Sequence, residues 1–174
     1  MGRSAMDVRD HFLSLARYHA WATERLLAAV APVDEADYRR DLGLFFRGLH
    51  GTLNHLLVTE ALLWQPRFAR GLSPVVALDL EAEPDRARLA QALLGGARAW
   101  ERLIADWPLG HFGGHLAYTS MRGQAVRLPF GATLAHVFNH ATHHRGQVSA
   151  ALTQLGQPAP ELDLVYFLQG MPAR

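Results

Sequence analysis

Four histidines crowd into two turns of one segment near the end of the sequence, and they are the residues best suited to chemistry. The sequence has 10 histidines, and four of them are His136, His140, His143 and His144. On a helix, four residues advance about 400°, so His136, His140 and His144 form a stripe whose neighbouring rings can share one ion. Imidazole serves zinc, nickel, iron and copper alike, so the pattern indicates a divalent-metal site without selecting the ion.

The apolar residues of this segment separate the four histidines into two pairs. They lie on the side of the stripe nearest His144: Val137, Ala141, Val148 and Leu155. His140 and His144 therefore border the core, and they are the candidate ligands. His136 and His143 fall further round, toward the polar edge, where they could support the ligands.

A third ligand must come from another helix. A catalytic zinc-like site takes three protein nitrogens and leaves a fourth position open for water or substrate. His50 and His55 are the candidates on the second helix, and each lies at a comparable angle from its apolar centre. Helical periodicity cannot choose between them. We expect structural, hydrogen-bonded roles for four other histidines: His11, His19, His111 and His115.

Composition limits both the ligands and the partners. The sequence has no cysteine, which excludes disulfides, thiolate ligands and a cysteine nucleophile, so a metal must use nitrogen and oxygen atoms. Lys and Arg (17) nearly balance Asp and Glu (16), so there is no broad cationic field for nucleic acid. No run of about 18 apolar residues could span a bilayer, and the start lacks a signal peptide's apolar run. We therefore predict a cytoplasmic protein with no nucleic-acid or membrane partner.

Apolar residues at three- and four-residue steps predict four long helices. Their predicted extents are Asp7 to about Val30, Phe46 or Gly48 to about Trp64, Pro84 to about Trp107, and Gly131 to Leu155. The register of the second helix becomes doubtful around Pro66, and Gly156 is the expected cap of the fourth. Residues 33–44 and 71–84 are predicted connections.

Two shorter elements complete the predicted fold. Residues 115–119 and 125–128 flank Met-Arg-Gly-Gln, which is typical of a short hairpin before the fourth helix. Residues 161–168 are predicted to form a short C-terminal helix. The sequence thus predicts an all-α four-helix bundle in a single domain over residues 6–170, with residues 1–5 as an N-terminal extension. Long links after the first and third helices leave the order of the helices open.

Several segments resemble one known family in order along the chain. They are YHAWATERLL, HGTLNHLLVTE and HVFNHATHHRGQ, followed by QLGQPAPELDLVYFL, and together they are similar to the DinB family. The resemblance implies an up-down-down-up bundle, usually dimeric, with one metal ligand from the second helix and two from HxxxH. On this chain those ligands are His55, His140 and His144. The first-helix motif departs from the family, which often has asparagines where His19 and Thr23 stand.

The resemblance also implies a reaction class. Similar members include metal-dependent thiol S-transferases, so we expect one zinc, nickel or iron ion to activate a low-molecular-weight thiol for transfer to a small electrophile. Two rival functions stay open: a metal-dependent hydrolase of a small substrate, and a non-catalytic stress-response dimer with a structural metal. Di-iron chemistry is not expected, because it needs paired Glu-x-x-His motifs.

Four residues are candidates for support of the ligands, and none has an assigned catalytic role. Gln147 and Arg145 follow His144, and Gln147 could orient a ligand or a bound water. His143 could shuttle a proton or simply be solvated. Asp163 could hold the second nitrogen of a histidine or cap the last helix.

Overall fold

A computed structural model of the chain describes residues 7–170, so the extension predicted for residues 1–5 lies outside the described residues. The protein is mostly helical with one two-stranded sheet. The helices are α1 (Val8–Val30), α2 (Glu35–Arg39), α3 (Leu49–Leu57), α4 (Gln65–Arg70), α5 (Arg86–Asp106), α6 (Phe130–Gln154) and α7 (Leu164–Leu168). A π-helical segment, Val58–Trp64, joins α3 to α4, and a 3₁₀ turn covers Leu109–Gly113.

The first helix follows the sequence prediction closely. Asp7 caps α1, and its side chain accepts a hydrogen bond from the Asp10 N–H at 2.8 Å, which satisfies one of the free donors of the first turn. The apolar side chains at helical spacing are buried, from Phe12 and Ala16 to Leu26 and Val30. Packing of this face, rather than helix propensity, holds α1 in place.

The second predicted helix differs from the structure at both ends. It begins at Leu49, because Gly48 is extended, so Phe46 lies in the preceding loop. Around Pro66, where the predicted register was doubtful, it continues as the π-helical segment and α4 to Arg70. In the π segment the Gln65 N–H bonds to the Glu60 carbonyl, five residues back, and the wider turn lets the helix carry a proline that has no N–H.

Other boundaries need correction. The predicted connection 33–44 contains α2, whose first turn is capped by the Asp34 side chain and whose Tyr38 is buried. The third helix begins one residue after Asp85, which is its N-cap, so Pro84 precedes the helix. The last helix is shorter than predicted, because Asp163 is still extended.

The predicted hairpin is confirmed. Strands β1 (His115–Thr119) and β2 (Ala125–Pro129) pair antiparallel with His115 opposite Pro129 and Thr119 opposite Ala125. Gly123 takes a positive φ of 77° in the connecting turn, a conformation that glycine adopts without strain.

Four long elements surround the core. α1 packs against α5 and α6, and α3 packs against the same two helices. One buried cluster is aliphatic and centred on residues such as Leu26, Leu53 and Leu152, whereas the other is aromatic and includes Trp100 and Phe138. The contact of α3 with α6 brings together the two helices that carry the candidate metal ligands. Over residues 7–170, no helix is long and apolar enough to cross a membrane.

Candidate metal centre

Three histidines from two helices meet at one point. His55 comes from α3, and His140 and His144 lie one turn apart on α6. The Nε2 atom of His140 is 3.3 Å from Nε2 of His55 and 3.1 Å from Nε2 of His144. One ligand atom from each residue lies within 4.8 Å of the other two.

These separations fit a metal ion. Two nitrogens bound at about 2.0–2.1 Å to a tetrahedral ion lie roughly 3.3–3.4 Å apart, close to the distances observed here. Hydrogen bonding alone does not account for the cluster, because the Nε2 atom of His140 carries at most one hydrogen and faces two other nitrogens. The residues present therefore fit one divalent ion, with a further position free for another ligand.

The second nitrogen of two of these rings is held by a neighbouring acceptor. The Nδ1–H of His55 donates to the Leu78 carbonyl at 2.8 Å, and the Nδ1–H of His144 donates to Oε1 of Gln147 at 2.8 Å. A neutral imidazole protonated at Nδ1 has its lone pair on Nε2. Both hydrogen bonds thus select the tautomer that a metal needs and orient the ring.

The surroundings also keep the three rings neutral. Burial lowers the pKa of His140 to about 3 and that of His144 to about 4, and the other histidines of the cluster add to both shifts. Burial likewise lowers the pKa of His55. Since a metal binds only the unprotonated nitrogen, this environment favours metal over protons at neutral pH.

An aromatic ring covers one face of the cluster. The ring of Phe46 stacks on His55 with centroids 3.7 Å apart and meets His144 edge-on at 5.7 Å. A side chain on Gly51 would place its Cβ 2.1 Å from the Phe46 carbonyl oxygen, so only glycine admits this approach of loop to helix. Arg47 takes a positive φ of 70° in the same loop, which is strained for a non-glycine residue. Phe46 was not predicted as a site residue, because the predicted start of the second helix, at Phe46 or Gly48, left open whether Phe46 lies in the helix or in the loop before it.

A cavity of about 820 Å³ borders this cluster. Phe46 and Leu78, which both contact His55, form part of its wall. Other lining residues bring aromatic and charged groups: Arg39, Phe45, His50 and Glu81. The volume lies in the range of pockets that bind small molecules.

Comparison with known proteins identifies the family of the chain. The sequence profile of the DinB family matches residues 1–173, which is nearly the whole chain. The chain belongs to the DinB family. No curated protein and no solved structure matches the sequence significantly. In this DinB protein, the three histidines that the resemblance selects are the three that the structure brings together.

The structure separates His50 from the cluster. The Nε2–H of His50 donates to Oε1 of Glu81 at 2.6 Å, and the Tyr38 hydroxyl donates to its Nδ1 at 3.3 Å. His50 thus links α2 and α3 to the connection before α5. Helical periodicity left the choice between His50 and His55 open. That choice depends on which of the two rings points toward α6, and the packing of the helices determines which one does.

Two of the candidate supporting residues lie beside the ligands. Gln147 accepts from His144, and its amide N–H also donates to Nε2 of His143 at 3.3 Å. His143 is exposed, and its ring also meets that of His144 edge-on with centroids 4.9 Å apart. His136 is exposed as well, and its ring lies 5.6 Å from that of His140.

Arg145 turns away from the metal centre into a buried network. Its Nη1 donates to Nδ1 of His19 at 2.7 Å, and the Nε2–H of His19 donates to Oε2 of Glu60 at 2.7 Å. All three are nearly fully buried. Glu60 was not predicted as a buried polar residue, because it lies on the π-helical segment, where angles calculated from a 3.6-residue period no longer apply.

Asp163 holds no histidine within residues 7–170. It occupies the N-cap position of α7, but its side chain makes no capping hydrogen bond. Its carbonyl accepts from the Tyr166 N–H at 3.0 Å. The acceptors that orient the ligand rings are instead the Leu78 carbonyl and the Gln147 amide. Neither acceptor is charged, so neither stands out in the sequence.

Proposed function

We propose that His55, His140 and His144 hold one divalent metal ion, and that the protein is an enzyme that transfers a low-molecular-weight thiol to a small electrophile. The observation that carries the proposal is the convergence of three Nε2 atoms, two of which have their lone pairs directed there by hydrogen bonds at Nδ1. The ion, which is zinc, nickel or iron, would stabilise the thiolate form of the thiol when bound.

The chain supplies no thiol nucleophile of its own. It has no cysteine, so a sulfur nucleophile must come from a small molecule. In the transfer, the thiolate sulfur forms a bond to carbon of the electrophile, and the leaving group departs with the electrons of the broken bond. The thiol proton leaves with that group or passes to solvent, so the products are a thioether and the free leaving group.

The residues around the cluster bind and orient rather than react. Leu78 and Gln147 hold two ligand rings, and Phe46 covers the ring of His55 and excludes water from that side. The neighbouring cavity of about 820 Å³ offers room for the body of a small molecule. Hydrolysis uses the same three ligands without a thiol, so it is the alternative that the experiment must separate.

Metal-loaded protein should be incubated with a panel of thiols plus an alkylating electrophile, and separately with a panel of esters. The proposal predicts metal-dependent loss of free thiol with formation of a thioether, and no ester cleavage. Because the protein has no thiol of its own, a colorimetric thiol assay has no protein background. His144→Ala should abolish the activity and His115→Ala, at an exposed strand position, should keep it. Ester cleavage without thiol consumption would favour the hydrolase.

Three further features of the proposal come from the family resemblance. They are the up-down-down-up order of the long helices, a homodimer, and action on a small-molecule substrate; the proposed location in the cytosol rests instead on the lack of an apolar span and of a signal peptide's apolar run in the sequence. Light scattering on the purified protein tests the dimer: a mass of twice 19.3 kDa is expected, and a mass of one chain would contradict it.

A further inference from the structure

Arg67 is a buried guanidinium with no protein anion beside it. The residue is 5% exposed, and no carboxylate from residues 7–170 lies within 4.0 Å of its nitrogens. Its Nε is buried without a hydrogen-bond partner in the described chain. Arg145, by contrast, is 2% exposed but donates to His19 and Thr142. Arg67 is thus the less well compensated of these two buried charges.

Two aromatic rings hold this guanidinium. The Cζ of Arg67 lies 4.8 Å from the ring centroid of Trp64 and 4.3 Å from that of Tyr118. Trp64, at the end of the π-helical segment, and Tyr118, on β1, therefore both contact the guanidinium. Such contacts stabilise a cation by less than the cost of burying it without a partner. Burial accordingly lowers the pKa of Arg67. The aromatic contacts position the cation but leave its buried Nε without an acceptor in the described chain.

The same aromatic cluster leads to the metal centre. The ring of Trp64 lies 5.5 Å from that of His136, which in turn lies 5.6 Å from the ring of the ligand His140. Arg67 and the three-histidine cluster are therefore connected by two intervening rings. A small molecule that contacts both would lie along Trp64 and His136, and His136 is exposed.

We propose that Arg67 binds a carboxylate of the small molecule that reaches the metal centre. The planar fork of a guanidinium matches a carboxylate through two parallel hydrogen bonds. This inference rests on the proposed function, because it names the chemical class of the substrate: a molecule with an anionic end and a reactive end. Arg67 would fix the anionic end and so decide which molecules place their reactive end at the ion.

The test is a calorimetric titration of the full-length protein with succinate and with inorganic phosphate at constant ionic strength. It compares wild type with Arg67→Met, Arg67→Lys and the matched control Arg70→Met, which changes an exposed arginine on the same helix. We expect saturable succinate binding that is tighter than phosphate binding. The affinity should fall at least tenfold in Arg67→Met and several-fold in Arg67→Lys, and it should be unchanged in Arg70→Met.

Three results would overturn the inference: no saturable binding by wild type, equal affinity in the Arg67 variants, or tighter binding of phosphate than of succinate. If Arg67→Met does not fold, Arg67→Lys decides, since it keeps the charge and the aromatic contacts but not the fork. Titrations before and after removal of metal, with the metal content of each variant, separate this inference from the proposed function. Anion binding by metal-free protein can succeed where thiol transfer fails, and the reverse is also possible.

Discussion

Replacement of Gln147 by leucine should weaken metal binding without touching a ligand. Oε1 of Gln147 is the acceptor for Nδ1–H of His144, at 2.8 Å, and the histidine is 6% exposed. Leucine of similar size would leave that N–H buried without an acceptor, at a cost of about 1–3 kcal/mol. Loss of a partner that orients a ligand typically lowers metal affinity about 10- to 100-fold, which corresponds to about 1.4–2.7 kcal/mol.

The assay is competition for zinc with a chromogenic chelator at neutral pH. Gln147→Glu is the rescue variant, because a carboxylate also accepts from Nδ1–H, and it should bind zinc at least as tightly as wild type. Gln154→Leu is the matched control, since Gln154 is exposed at the end of the same helix. If Gln147→Leu bound zinc within twofold of wild type, the hydrogen bond would not orient the ligand and the reasoning would fail.

Three other predictions concern stability. Gly51→Ala should destabilise the fold by about 1–3 kcal/mol in urea denaturation, because its Cβ would lie 2.1 Å from the Phe46 oxygen, whereas Gly95→Ala, with open space, should stabilise it slightly. Burial raises the pKa of Tyr38 from 10.0 to about 12. The free energy of unfolding should therefore keep its full value below pH 10 and fall by up to roughly 2–3 kcal/mol as pH rises toward 12. Tyr38→Phe should lack that alkaline loss. The pKa of His140 is lowered from 6.5 to about 3, so metal-free protein should lose stability as pH falls below 6.5, and unchanged stability at pH 5 would contradict this.

Much of the fold could be predicted because it depends on local pattern. Apolar spacing predicts α1 and α6 to within a residue or two, and alternation around Met-Arg-Gly-Gln predicts the hairpin. The helix α2 was missed because five residues carry too little periodic signal, and its formation depends on a capping aspartate and one buried tyrosine, Tyr38. The sequence left the register of the second helix open around Pro66, where a π-helical turn removes the conflict that proline normally creates.

Only part of the metal centre could be predicted, because part of it depends on local spacing and the rest on how the helices and loops pack. Four-residue spacing on α6 is a local property, so it indicated His140 and His144. The choice of His55 over His50 depends on how α3 turns toward α6, which periodicity does not encode and the family resemblance supplied. Phe46 and the Leu78 carbonyl come from loops, where no sequence period predicts which atom will contact a ring.

The most direct test of the central claim is the metal content of the purified protein and its histidine variants after loading and removal of free ion. Elemental analysis should find one divalent ion per chain in wild type. His55→Ala, His140→Ala and His144→Ala should each lose it, while His136→Ala and His143→Ala should retain it. Equal metal content in the first three variants and wild type would contradict the account.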